Sequence, residues 1–203
     1  MKKNMNIMTA CDESYAKYIL PQLASIKESL SEYRVNFFLL YSRISQETIQ
    51  LIESFTDTIK CIDFYPCYID ANIDKNIEAY NLIASSGGGG TSGKSTYPYE
   101  IYFWLNCQNY LPKTIDRVLY IHSADIIFLG DISKFYFSTF NGKLLTVELT
   151  SSKAVKEKKD GIPILYKSED RAKFIKSRKI NYNYFNSGSI MINVEKFRKK
   201  IDQ

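Results

Sequence analysis

One histidine, His122, serves a chain of 203 residues. A multi-histidine metal cage is therefore excluded. Four cysteines, Cys11, Cys61, Cys67 and Cys107, stand apart with no C-x-x-C spacing, so neither a zinc knuckle nor a disulfide framework is indicated. No apolar run approaches the roughly 20 residues that a membrane-spanning helix needs. Lys2 and Lys3 are followed by Asn4, Asn6 and Asp12, which interrupt what would have to be the apolar stretch of a signal peptide. A cytoplasmic chain with no transmembrane segment is the expectation. Basic stripes interleaved with stacking aromatics are also missing, which argues against nucleic acid as a partner.

What is present describes a folding globular chain. Apolar residues make up 45%, charged residues 24% and aromatics 14%, enough for one well-buried core and too little length for two full domains. The expectation is a single domain over 1–203. The net charge of +5 gathers late, at Lys153, Lys156, Lys158, Lys159, Lys176, Arg178 and Lys179; such runs read as solvated faces, with anions as fitting partners.

Along the chain, strand-like and helix-like patterns alternate. Asn6 to Cys11 is a short apolar run, and from Tyr15 to Leu30 apolar residues recur at helical spacing. Val35 to Tyr41 is a nearly continuous apolar run, Ser45 opens a helical stretch ending near Phe55, and Ile59 to Phe64 makes a third strand. After the Gly/Ser-rich loop Ser85 to Thr96, Tyr97 to Leu111 reads as helix, with Pro98 in its first turn. Arg117 to Ile121 reads as a buried strand, Ile126 to Leu129 as extended, and Leu144 to Val147 and Ile190 to Val194 as further strands. This alternation predicts an α/β fold: an open, mostly parallel sheet flanked by helices. In such sheets ligands bind beyond the carboxyl ends of the strands, which singles out Ala10 to Tyr15 and His122 to Asp125.

Two motifs compete for the chemistry. Gly88 to Ser95 (GGGTSGKS) matches G-x-x-x-x-G-K-[ST], the pattern that cradles phosphates with glycine amides, a lysine and a hydroxyl. A true phosphate loop leaves a strand directly, whereas Ile77 to Ala84 before it has helical spacing; a nucleotidase is the lesser reading and an exposed loop the preferred one. His122 and Asp125, with Asp131 nearby, form a small polar cluster at a sheet edge that suits a divalent cation. Asp131 reads equally as a cap for the helix after it.

Three blocks together resemble the retaining glycosyltransferases of family 8: NIMTACDESYAKYILPQLASI, YPYEIYFWLNCQNYLPKTIDRVLYIHSADIIFLGDISKFY and YFNSGSIMINVEKFRK. They occur in the family's order and span most of the chain. The resemblance implies a Rossmann-like, nucleotide-sugar-binding fold of the GT-A type. It implies transfer of a hexose from a UDP-sugar, with retention, to a glycan, lipid-linked or protein acceptor. Together with the Ile, Lys, Asn and Tyr-rich usage it also implies a bacterial origin.

Carried over by position, the resemblance makes Ala10, Cys11, Asp12, Ser14 and Tyr15 the uridine-binding loop, with Asp12 accepting from the base and Tyr15 packing on it. Asn186, Ser187 and Gly188, within Phe185–Gly188, fall near the donor sugar. The family's D-x-D motif holds manganese, or magnesium, against the diphosphate; here Asp125 matches it. His122 takes the first position when the blocks are aligned through VLYI, and Ser123 takes it when they are aligned through DIIFLGD. Trp104 replaces a common arginine, and the late H-x-x-G-x-x-K-P-W segment has no counterpart before Gln203. The expectation is thus a domain short of the family's C-terminal segment. A non-catalytic nucleotide-sugar-binding remnant of the family is the alternative to an active transferase.

Overall fold

The computed structural model of the chain describes residues 2–70, 98–122, 124, 126–149, 158–159, 162–163 and 185–201. Strand β1 spans Asn4–Ala10, followed by helix α1 (Glu13–Ala16), helix α2 (Ile19–Ser29), β2 (Arg34–Tyr41), α3 (Gln46–Thr56) and β3 (Ile62–Tyr68). A 3-10 helix covers Tyr99–Asn109, then come β4 (Arg117–Ile121), α4 (Ser133–Tyr136), β5 (Leu145–Leu149), β6 (Lys158–Lys159), β7 (Ile162–Pro163), β8 (Phe185–Asn193) and α5 (Val194–Ile201). Two compact units result, one of Met1–Thr146 with Gly188–Gln203, the other Val147–Ser187. In the second, β6 and β7 form a short antiparallel pair.

Six strands form one sheet in the order β3-β2-β1-β4-β8-β5. β1 is parallel to β2 and to β4, β2 is parallel to β3, and β8 runs antiparallel to β4. The mixed, mostly parallel sheet expected from the alternating pattern is the sheet observed. β1 is central, so both its faces are covered: Met5, Ile7, Met8 and Ala10 are all buried. Its two buried polar residues, Asn6 and Thr9, have partners. Asn6 donates from Nδ2 to the Arg117 carbonyl at 3.0 Å and accepts from Asn36 at 2.8 Å, and Thr9 Oγ1 donates to the Ile121 carbonyl at 3.0 Å. Those side-chain bonds bind neighbouring strands as ladder bonds do, removing the desolvation cost of burying the groups.

The helices bury one face each. α2 buries Ile19, Leu23 and Ile26, and α3 buries Ile49, Ile52 and Thr56, the spacing of one side of a 3.6-residue helix. Each fully buried leucine or isoleucine contributes about 1.5–3 kcal/mol. The Ser45 hydroxyl accepts from the Thr48 amide at 3.2 Å and caps α3.

Three sequence expectations shift. The single helix over Tyr15 to Leu30 is two helices, with a turn at Lys17 and Tyr18. Pro21 explains the break: a continuous helix would forfeit the bond from residue 21 to the carbonyl of Lys17, whereas restarting at Ile19 puts Pro21 in a first turn, where no such bond is needed. The third strand lies at Ile62–Tyr68 instead of Ile59 to Phe64. It is an edge strand, so Pro66 is tolerated, and its aromatics meet those of β2, with Tyr65 stacked on Phe38 at 5.0 Å and Phe64 near Phe37 at 6.4 Å. The helix expected over Tyr97 to Leu111 is a 3-10 helix over Tyr99–Asn109 with a kink at Asn106. The glycine-rich loop and the late basic runs, apart from the backbone of Lys158 and Lys159, lie outside the described residues. No described helix is long and apolar enough to cross a membrane.

Candidate functional site

Strands β2 and β3 extend the sheet on one side of β1 and β4 extends it on the other, so the direction of winding reverses beside β1. Loops leaving two neighbouring strands at such a point part to opposite faces and open a crevice at their carboxyl ends. The register pairs Thr9 with Ile121, which brings the loop after Ala10 alongside His122. On its other side, antiparallel pairing of Ile121 with Ser189 brings up β8, and the His122 amide donates to the Gly188 carbonyl at 3.0 Å. Two of the three family-like blocks thus meet the third at one sheet edge. The segment Phe185–Gly188 opens the strand β8.

Within the first loop, Ala10 and Cys11 are buried, so what they can offer a ligand is backbone. Burial, and then the charges of Asp12, Glu100 and Glu13, push the Cys11 thiol far above its ordinary range, so it is no nucleophile at neutral pH. Asp12 is half-buried and caps α1: its Oδ1 accepts from the Ser14 amide at 3.1 Å and from the Ser14 hydroxyl at 2.6 Å. Ser14 and Tyr15 are exposed.

His122 follows β4 directly and is half-buried, edge-on to the Tyr120 ring, with centroids 6.1 Å apart. The Tyr120 hydroxyl donates to the Ile101 carbonyl at 2.9 Å and lies 3.5 Å from His122 Nδ1. Full burial holds the Tyr120 phenol well above its ordinary pKa, so it stays protonated. Trp104, at the position of the family's common arginine, stacks on Tyr120 at 5.8 Å. Ile126 to Phe128 run along α2: Gln22 donates to the Ile126 carbonyl, the Ser25 hydroxyl accepts from the Phe128 amide and Ser29 donates to its carbonyl, each at 3.0 Å. Asp131 is engaged locally, one residue before the N-cap Ile132. Its two oxygens take the amide and hydroxyl of Ser133 at 2.7 and 2.9 Å.

Of the expected metal ligands His122 is described, whereas Asp125 and the alternative Ser123 lie outside the described residues. Among the described residues no group of three His, Cys, Asp or Glu side chains gathers to hold an ion. The chemistry of an imidazole and a carboxylate three residues apart is one a divalent cation accepts, with oxygen donors preferred by manganese and magnesium.

A cluster that sequence reasoning missed adjoins the first loop. Glu100 is fully buried, yet it is a carboxylate. Arg43 grips it with Nε on Oε1 and Nη2 on Oε2, both at 2.7 Å, and the Ser42 hydroxyl donates to Oε1 at 2.8 Å. The guanidinium lies over the Tyr99 ring at 4.5 Å. Hydrogen bonding to Glu100, followed by the charges of Glu100, Tyr99 and Asp12, holds Arg43 above even its ordinary pKa. The Arg43 carbonyl accepts from the Glu13 amide at 2.9 Å, and the Glu13 carboxylate takes Thr48 Oγ1 at 2.6 Å and the Ser45 amide at 2.7 Å. Those bonds, Thr48 first, hold Glu13 below the usual carboxylate pKa. One signal was legible: a lone carboxylate inside the apolar block YPYEIYFWL.

The geometry is that of an open α/β sheet with a crevice where its winding reverses. A protein of Haemophilus influenzae described as a glycosyltransferase is 25% identical over 208 residues, spanning 98% of this chain and 51% of its own length. Among solved structures, the galactosyltransferase LgtC in complex with donor and acceptor sugar analogs superposes with a TM-score of 0.67 at 17% identity, over 96% of this chain and 60% of that one. The bifunctional glycosyltransferase WbbM superposes with a TM-score of 0.66 at 14% identity, over 99% of this chain and 33% of that one. The chain therefore spans about half the length of the curated relative it matches. The sequence model of glycosyl transferase family 8 matches residues 6–201, nearly the whole of the sheet and its crevice, and the chain belongs to that family.

Proposed function

We propose that this chain is the nucleotide-sugar-binding part of a bacterial, cytoplasmic glycosyltransferase that moves a hexose, with retention, from a UDP-sugar to a glycan, lipid-linked or protein acceptor. The observation that carries the reading is the convergence of Ala10–Tyr15, His122 and Gly188 at the point where the sheet reverses its winding. In this reading the loop Ala10, Cys11, Asp12, Ser14 and Tyr15 holds the nucleoside: backbone at Ala10 and Cys11, the Asp12 carboxylate toward the base, and the exposed Tyr15 ring packed on it. The family resemblance would make Asn186, Ser187 and Gly188 the donor-sugar contacts. His122 and Asp125, or Ser123 in place of His122, would hold manganese or magnesium, which when bound neutralises charge on the departing diphosphate. The phosphate-loop nucleotidase reading of Gly88–Ser95 has no support from these observations.

Calorimetric titration with uridine diphosphate tests the reading. Asp12→Ala removes an acceptor to the ligand and the cap of α1 together; binding is expected to weaken by about 1–3 kcal/mol. Unchanged affinity in a folded variant would remove Asp12 from the site.

Manganese titrations of two single variants decide the motif register. His122→Asp restores a carboxylate pair with Asp125 and is expected to tighten manganese if His122 is the ligand; Ser123→Asp does so if the other register holds. If neither substitution gains affinity, this edge does not bind the metal, and the non-catalytic reading of the fold takes precedence.

A further inference from the structure

Burying the Glu100 carboxylate carries a desolvation penalty. A carboxylate with no solvent exposure needs a partner, and replacing such a pair by apolar residues is often neutral or stabilising. Its partner is not buried with it: the Arg43 side chain is 53% exposed. Two of the five guanidinium N–H groups serve Glu100, while Ser42 and the Tyr99 ring fix the plane from behind. Three N–H groups, both on Nη1 and one on Nη2, have no acceptor among the described residues. The arrangement is a rigid, outward-facing donor fork.

Its place says what it meets. Arg43 follows the end of β2, whose Leu40 pairs with Ala10, and its own carbonyl ties down Glu13 in the loop that carries Asp12. The strand order β2-β1-β4 puts Arg43 on one flank of that loop and His122 on the other. With the diphosphate toward His122, the nucleoside end of the ligand falls to the Arg43 flank.

We propose that Arg43 reads the base of the bound nucleotide by donating to a pyrimidine carbonyl oxygen, with Glu100 as the positioning residue that holds its guanidinium. The inference rests on the nucleotide-sugar reading above and adds the residue that selects the base. Arginine only donates. Uracil offers a carbonyl oxygen at the position where cytosine carries an amino group, itself a donor, so a fixed guanidinium accepts the first and rejects the second. A site built around one such polar contact discriminates more sharply than an apolar pocket.

Calorimetry with UDP and CDP tests this on the full chain, Arg43→Met, Glu100→Gln and the double variant Arg43→Met/Glu100→Leu, each checked for folding by thermal melting. The unaltered chain is expected to favour UDP about tenfold or more. In Arg43→Met, UDP affinity falls about tenfold while CDP affinity holds, so the preference collapses; Glu100→Gln loses part of it. The double variant leaves no unpaired buried carboxylate and is expected to fold and to show the same collapse. A folded double variant that keeps the UDP-to-CDP ratio, or that loses both nucleotides equally, overturns the inference and leaves the nucleotide-sugar reading standing. If the unaltered chain binds neither nucleotide, that reading falls and the inference with it.

Discussion

Tyr120→Ala is expected to lower the free energy of unfolding by about 3–5 kcal/mol, the usual cost of deleting a buried aromatic ring. Tyr120 is fully buried in β4, and its ring separates Trp104 from His122. The alanine leaves a cavity at the end of the strand that forms one wall of the crevice, and it frees both rings. Tyr120→Phe isolates the hydroxyl. The bond to the Ile101 carbonyl is lost, together with the longer contacts to the His122 ring and carbonyl, with a cost of about 1–2 kcal/mol. Urea denaturation followed by circular dichroism measures both; equal midpoints for the two variants would mean that the ring itself contributes no packing energy.

Arg43→Met is expected to cost about 2–4 kcal/mol, and the loss comes from what is left behind. Glu100 stays fully buried and keeps one neutral donor, Ser42. Breaking a buried pair from one side typically costs 3–5 kcal/mol; half-exposure of Arg43 brings water near and reduces this. Adding Glu100→Leu is expected to return most of the stability, since no buried charge remains and Ser42 can still bond the Tyr99 hydroxyl at 3.0 Å. Thermal melts of the single and double variants read the difference. A double variant no more stable than Arg43→Met would show that the pair's worth lies in tying down the Glu13 loop and not in satisfying a buried carboxylate.

Much of the frame was legible before folding because central strands and amphipathic helices write local periodicities. Val35–Tyr41 and Arg117–Ile121 lie where the apolar runs predicted, and Ser45 caps α3 as the pattern indicated. Errors came where the deciding partner is remote. Tyr65, Pro66, Cys67 and Tyr68 look too polar and broken for a strand by themselves, yet an edge position and the facing aromatics of β2 make them one. The extended stretch after His122 forms no ladder because Gln22, Ser25 and Ser29, about a hundred positions earlier, satisfy its backbone instead.

By itself the sequence determined the α/β class and the family blocks, and it singled out the two loops proposed to bind a ligand, since each is a property of neighbouring residues. Only the tertiary structure decided that Arg43 and Glu100, 57 positions apart, form one pair beside the first loop, and that Gly188 docks on His122. A charge in an apolar run reads as an irregularity until its partner is known. Which partner reaches it depends on strand order, and strand order is set by how the whole sheet buries its two faces, a sum no local window contains.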